Sequence, residues 1–140
     1  MPASSIKLRT VPLRTLAWLG DAEYERVIRW RIAETGPWKS AELERVRVYL
    51  ARAETQAEFL QTIQEKLDPA ESELIRRTKN ISLPSPRGAK SVKTYRMATA
   101  LEALISYWTF EEIQPNNRFT ELLSPLIDAA IAKAFDRTSI

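Results

Sequence analysis

The 140-residue chain predicts an all-α domain, and three observations lead there. Apolar residues recur at helical spacing in successive runs, and no segment sustains the apolar–polar alternation of a strand. Glycine occurs only three times, while alanine, leucine, glutamate and arginine are plentiful. Prolines and glycines cluster between the periodic runs, where they act as stops.

The elements follow in order. After an N-terminal extension (1–11), Pro12 can sit in the first turn of a helix reaching about Glu34. Leu13, Leu16, Leu19, Val27 and Ile28, with Trp18 and Tyr24, form its expected buried stripe, and Gly36-Pro37 ends it. Ser40 reads as the N-cap of one long helix over 41–67, with Leu43, Val46, Leu50, Ala53, Ala57, Leu60 and Ile63 inward. Asp68-Pro69 pairs a capping residue with a first-turn proline and opens a helix to about Lys79. Pro84, Pro86 and Gly88 make 81–89 a loop. A further helix covers 92–110, Pro115-Asn116-Asn117 interrupts the chain, and a last helix spans 119–135. Pro125 should kink that helix or mark its true first turn.

Composition narrows the chemistry. Cysteine and histidine are absent, which excludes thiol catalysis, disulfides, zinc sites of the usual kind and histidine acid–base work. Without an 18-residue apolar run or a signal-type leader, the expectation is a cytoplasmic protein with no membrane partner. The net charge of +3 hides an asymmetry. Leu74 to Arg96 holds seven Lys or Arg and no acid, leaving −4 for the rest of the chain. Such a strip suits a polyanion.

Two acids stand inside otherwise apolar runs. Asp21 follows Leu16-Ala17-Trp18-Leu19-Gly20, and Glu102 is set within Ala98 to Ile105. A carboxylate among core residues needs a cation, a metal or a positioned water. A pair of them beside a basic strip is what a metal-dependent nuclease requires. Taken singly, each has a simpler explanation as a satisfied polar residue of its helix, and the strip as solvated surface.

Four segments, in order, remove much of that ambiguity. Leu19-Gly20-Asp21-Ala22-Glu23-Tyr24-Glu25 resembles the Gly-Asp-Ala-x-Tyr-Glu segment of the Mini-ribonuclease III family. Lys93-Thr94-Tyr95-Arg96-Met97-Ala98-Thr99-Ala100-Leu101-Glu102-Ala103-Leu104-Ile105 resembles its Thr-Tyr-Arg-x-x-Thr-Ala-x-Glu-Ala-Leu signature. Between them, Ala53 to Glu58 and Arg76 to Asn80 are similar to its Ala-x-x-Gln-Ala-Glu stretch and its basic turn.

The resemblance implies the ribonuclease III catalytic-domain helical fold over 12–137, homodimeric and without a double-stranded-RNA-binding domain. It implies an endoribonuclease that uses Mg2+, with Mn2+ as an alternative, to cut double-stranded regions of precursor RNA, as bacterial members do in maturing large-subunit ribosomal RNA. Chloroplasts and cyanobacteria carry relatives. Asp21 and Glu102 match the family's catalytic, metal-binding carboxylates. Arg76, Arg77, Lys79, Asn80, Arg87, Lys90, Lys93 and Arg96 would bind RNA, the 81–89 loop would touch it, and Thr99 is a candidate to hold a metal-bound water. Full-length ribonuclease III carries further acids where this chain has Arg14, Ala17 and Thr99, so the site is expected to be poorer in negative charge. Trp18, Trp30 and Trp108 are expected in the core or a dimer interface, Tyr24 and Tyr95 in packing, and Glu25 and Glu54 in surface or helix–helix pairs. The rival reading is an RNA-binding or ribosome-assembly protein that keeps the fold without catalysis.

Overall fold

The computed structural model describes residues 10–81, 91–110 and 118–136. Six α-helices occur among them: α1 (Leu13–Glu34), α2 (Ser40–Ala51), α3 (Ala53–Ile63), α4 (Pro69–Lys79), α5 (Val92–Phe110) and α6 (Ser124–Phe135). A 3-10 turn (Gln64–Lys66) follows α3, and a π-helical turn (Phe119–Leu123) precedes α6. No strand occurs among the described residues.

The hub is α5, which packs against α1, α3 and α4, while α6 closes on α2. Ala100, Leu101, Ala103, Leu104 and Ile105 are fully buried. A helix apolar on nearly every side has nowhere to lie but the centre. Around it sit Leu16, Ile28 and Ile32 of α1, Val46 and Leu50 of α2, and Leu60 and Ile63 of α3. At each fully buried Leu or Ile this removes apolar surface worth roughly 1.5–3 kcal/mol from water.

Most boundaries agree with the periodicity. Asp68 caps α4 through a reciprocal box: its carboxylate accepts from the Glu71 N–H at 2.8 Å, and Glu71 accepts from the Asp68 N–H at 2.8 Å. Pro125 falls in the first turn of α6, directly after the π-helical turn, where its missing N–H costs no helical hydrogen bond. Gly36, with φ of 152°, adopts a backbone that other residues rarely reach, and it frees the chain from α1. Trp38, unassigned from sequence, stacks on Phe135 at 4.2 Å and donates to the Thr35 hydroxyl at 2.8 Å.

Three expectations fail. The single helix over 41–67 is broken at Arg52, an extended residue with φ −70° and ψ 152°. No glycine or proline marks the break; side-chain bonds make it. The Thr55 hydroxyl donates to the Tyr49 carbonyl at 2.6 Å and accepts from Arg52 Nε at 3.2 Å, and the Arg52 guanidinium lies over the Tyr49 ring. Lys39, rather than Ser40, stands at the N-cap of α2. Trp18 leaves the buried stripe altogether and is 73% exposed, and Trp30 is also exposed, so of the three tryptophans only Trp108 enters the core. The loop prediction for 81–89 and the break at 115–117 lie, apart from Ile81, outside the described residues.

Candidate active site

The site begins with a glycine. Where α1 crosses α5, a Cβ on Gly20 would stand 1.7 Å from the Glu102 carbonyl oxygen. Any other residue there would force the helices apart. The crossing brings the next residue, Asp21, close enough to Glu102 for the two carboxyl groups to perturb one another. One turn further along α1, the Tyr24 hydroxyl donates to the Leu50 carbonyl and ties this stretch to α2. The buried Ser106 hydroxyl, one turn beyond Glu102, donates to the Leu16 carbonyl. The acid pair is thus held from both sides of the crossing.

The two acids are not equivalent. Asp21 is exposed, contrary to its apolar sequence setting, because it lies beside the buried stripe of Leu16, Ala17, Gly20 and Tyr24 and not within it. Glu102 is largely withdrawn into the packed face of α5. Burial, then the hydrogen bond to Asp21 and its charge, push the Glu102 carboxyl up to about 9, while a hydrogen bond from Gln56 acts in the opposite sense. Burial foremost, and then the Glu102 and Glu25 charges, also raise the Tyr24 phenol above its ordinary value, which keeps it neutral.

Two carboxyl groups in contact need a shared proton or a cation to offset their repulsion. Their donor chemistry suits a hard cation: oxygens only, with one of the two open to solvent. Mg2+ is commonly bound by one or two carboxylates, its remaining positions going to water and phosphate. No cluster of three or more acidic side chains placed for an ion occurs among the described residues. The substitutions at Arg14, Ala17 and Thr99 agree with that: Arg14 is exposed, Ala17 is buried, and the Thr99 hydroxyl donates to the Tyr95 carbonyl at 2.9 Å. Thr99 therefore has only its oxygen lone pairs to offer a water.

The basic residues separate into groups. Arg77, Asn80 and Lys93 are exposed, and Lys79 partly so. Arg76 is exposed but engaged with Glu73 at 2.6 Å, a surface pair weak enough for a phosphate to compete with. Arg96 donates to the Lys79 carbonyl and joins α5 to the C-terminal end of α4, so its first partner is the protein itself. Arg87 and Lys90 lie outside the described residues.

Two polar residues gain importance that their positions in sequence did not reveal. Gln56 is 4% exposed and favours the Glu102 anion; its signals in the sequence were its place in the Ala-x-x-Gln-Ala-Glu stretch and an amide set beside Ala57, Phe59 and Leu60. Glu71, read as nothing more than a helix residue, is the most deeply buried acid described, at 1% exposure. It accepts from Trp108 Nε1 at 2.6 Å and from Arg118 at 2.7 and 3.0 Å. A concavity of about 220 Å³ between α1 and α2 is lined by Ile32, Ala33, Leu43 and their charged neighbours and includes none of these groups.

Comparison with known proteins bears on the chain as a whole. Residues 14–112 match the family model described as "Ribonuclease III domain". A Mini-ribonuclease 3 of Desulfitobacterium hafniense is 40% identical over 94 residues, covering 67% of this chain and 59% of that protein, so the chain spans less than two thirds of that relative's length. A second, from Symbiobacterium thermophilum, is 33% identical, with 70% and 75% covered, and a third, from Gloeobacter violaceus, is 34% identical, with 73% and 74% covered. A crystal structure of a Fusobacterium nucleatum protein superimposes with a TM-score of 0.65 at 31% identity, over 73% of this chain and 82% of that one. The chain belongs to the ribonuclease III family, in its Mini-ribonuclease 3 branch.

Proposed function

We propose that this protein is a Mg2+-dependent endoribonuclease that hydrolyses phosphodiester bonds in double-stranded regions of precursor RNA, large-subunit ribosomal RNA among them, in the cytoplasm. The observation that carries the reading is the meeting of Asp21 and Glu102 at the Gly20 crossing, in a chain of this family. Asp21 and Glu102 would hold the ion, with Mn2+ able to take its place. A bound Mg2+ supplies an activated water and relieves charge on the phosphate.

The chain's own groups do the rest. Asp21, open to solvent, faces the incoming backbone, while Glu102 is anchored in the central helix α5. Arg77, Lys79, Asn80 and Lys93 supply charge and one directed hydrogen bond for the phosphates and 2′-hydroxyls of A-form RNA, with Arg76 joining once released from Glu73. Trp18, exposed and three residues before Asp21, supports a homodimer in which two sites lie along one duplex. No helix among the described residues is long and apolar enough to cross a membrane.

The test is cleavage of end-labelled duplex RNA by wild type and Glu102→Gln, each with Mg2+ and with EDTA. Metal-dependent cutting that the substitution abolishes, with RNA binding retained, is the expected result. Binding without cutting by the wild type, under any divalent ion and on folded ribosomal precursor too, would leave a non-catalytic RNA-binding protein.

A further inference from the structure

We propose that Arg96 is a positioning residue that caps the C-terminal end of α4 from α5 and thereby fixes Lys79 and Asn80 relative to Glu102. The inference rests on the reading of the α4 cations as an RNA-binding surface. The last turn of α4 carries Arg76, Arg77 and Lys79, and Asn80 follows as its C-cap. A helix end leaves its last carbonyls without partners inside the helix. The Asn80 N–H donates to the Arg77 and Thr78 carbonyls, and the Ile81 N–H donates to Thr78 as well. The Lys79 carbonyl is met from another helix, by the Arg96 guanidinium. Asn80 keeps a right-handed backbone, φ −97° and ψ −1°, so no left-handed turn closes this end. Arg96 supplies the closure instead, with a cation where the helix dipole favours one.

Two clasps therefore hold α4 on α5. Near its start Glu71 accepts from Trp108, and at its end the Lys79 carbonyl accepts from Arg96. Between them Leu74, Ile75 and Thr78 are buried, so the shaft of α4 is packed while its last residues emerge. Lys79 lies eight residues beyond Glu71, about 12 Å along the helix, and an untied tip would be free to swing about the first clasp. Arg96 springs from a fixed base, because Met97 and Ala98 beside it are buried. Glu102 stands six residues further along the same helix. The bond thus refers the cationic tip of α4 to the helix that carries the acid. A neutral carbonyl partner also leaves the arginine charge uncancelled, so the strip keeps its attraction for a polyanion.

Arg96→Met tests the role, because methionine keeps much of the aliphatic stem and cannot donate. It is compared with wild type, with a tip variant (Lys79→Ala with Asn80→Ala) and with the triple variant. Amide hydrogen exchange is read in the free proteins, and duplex-RNA affinity in EDTA at low salt. Arg96→Met is expected to fold, with amides of residues 79–81 exchanging about tenfold faster and those of 73–76 unchanged. The tip substitutions should weaken RNA binding about tenfold in wild type but less than about twofold in Arg96→Met, where a loose tip has already lost its contacts. Unchanged exchange at 79–81 overturns the cap. A tip effect as large in Arg96→Met as in wild type overturns the positioning role and makes Arg96 an independent phosphate contact. Tip substitutions without effect on wild type overturn the inference and leave RNA binding to the other cations. A wild type that binds no duplex RNA overturns the RNA reading and this inference together. Should Arg96→Met not fold, NMR of the wild-type Arg96 guanidinium decides. Its rotation should be restricted before RNA is added and stay so afterwards, and free rotation in the unbound protein would overturn the cap.

Discussion

Two carboxyl groups are withdrawn from water beside α5, and their surroundings are opposite. Glu71 is surrounded by donors: the Asp68 N–H, the Trp108 indole and a two-pronged Arg118, which also donates to the Lys66 carbonyl. Every one of these contacts favours its anion, and the fork of Arg118 matches the carboxylate geometry. Glu102 forms no ion pair among the described residues and faces a second carboxyl group, with only the neutral Gln56 amide acting in favour of its anion. The first acid is satisfied by the fold and ties α4, α5 and the start of the last helical segment together. The second is left short of positive charge. Burial by itself therefore does not distinguish a functional carboxylate; an uncompensated like-charge neighbour does.

The comparison can be broken in four places, from the largest effect to the smallest. Glu71→Ala strands the Arg118 and Trp108 donors and should cost about 3–5 kcal/mol in urea unfolding, while leaving Mn2+ affinity of the folded fraction unchanged. Loss of the Mn2+ site in a folded Glu71→Ala would refute the division into a structural and a functional acid. Gly20→Ala places a methyl group against the Glu102 carbonyl and should cost about 3 kcal/mol, with metal binding impaired even where the protein still folds. A fully active, fully stable Gly20→Ala would show that the helix crossing does not set the site.

The third test uses pH. Burial alone would raise Glu71, but Arg118, the Asp68 N–H and Trp108 outweigh it and leave its carboxyl below the ordinary value. Its contribution is therefore complete above the unfolded-chain value of about 4.3 and is lost as pH falls through the depressed folded value. Glu102 runs the other way. With its carboxyl pushed up to about 9, the folded state binds a proton that the unfolded chain has released, so stability declines as pH rises from about 4.3 towards 9. In EDTA at pH 8, Glu102→Gln should accordingly be more stable than wild type, by on the order of 1–3 kcal/mol, and the difference should vanish near pH 4. Equal stability at both values would mean that the pair is solvated and carries no repulsion.

The smallest effect concerns the exposed strip. Glu73→Ala frees Arg76 from its surface partner and should change stability by less than about 1 kcal/mol. Binding to duplex RNA should tighten slightly and become steeper in salt if Arg76 reaches a phosphate. An unchanged salt slope would remove Arg76 from the RNA-binding set.

The sequence carried more of the fold than of the site. Helical class, α1, α4 and α5 were readable because apolar spacing, Asp68-Pro69 and Gly36 act locally. The break at Arg52 was not, since it depends on a threonine hydroxyl and an arginine–tyrosine contact that no glycine or proline announces. Asp21 and Glu102 stood out as acids in apolar runs, yet the same cue wrongly buried Asp21 and passed over Glu71, whose neighbours include serine, glutamate and proline. Gly20 was visible as a letter in a motif, but its role at the crossing was not.

By itself the sequence determined what depends on near neighbours and inventory: helices, caps, a chemistry without cysteine or histidine, and a basic strip. The tertiary structure alone decided which carboxylate meets an arginine and which meets another carboxylate. Asp21 and Glu102 are 81 positions apart, Glu71 and Arg118 are 47 apart, and Gln56 and Glu102 are 46 apart. At such separations partners are chosen by how closely helices can approach, and here a missing Cβ at Gly20 sets that distance.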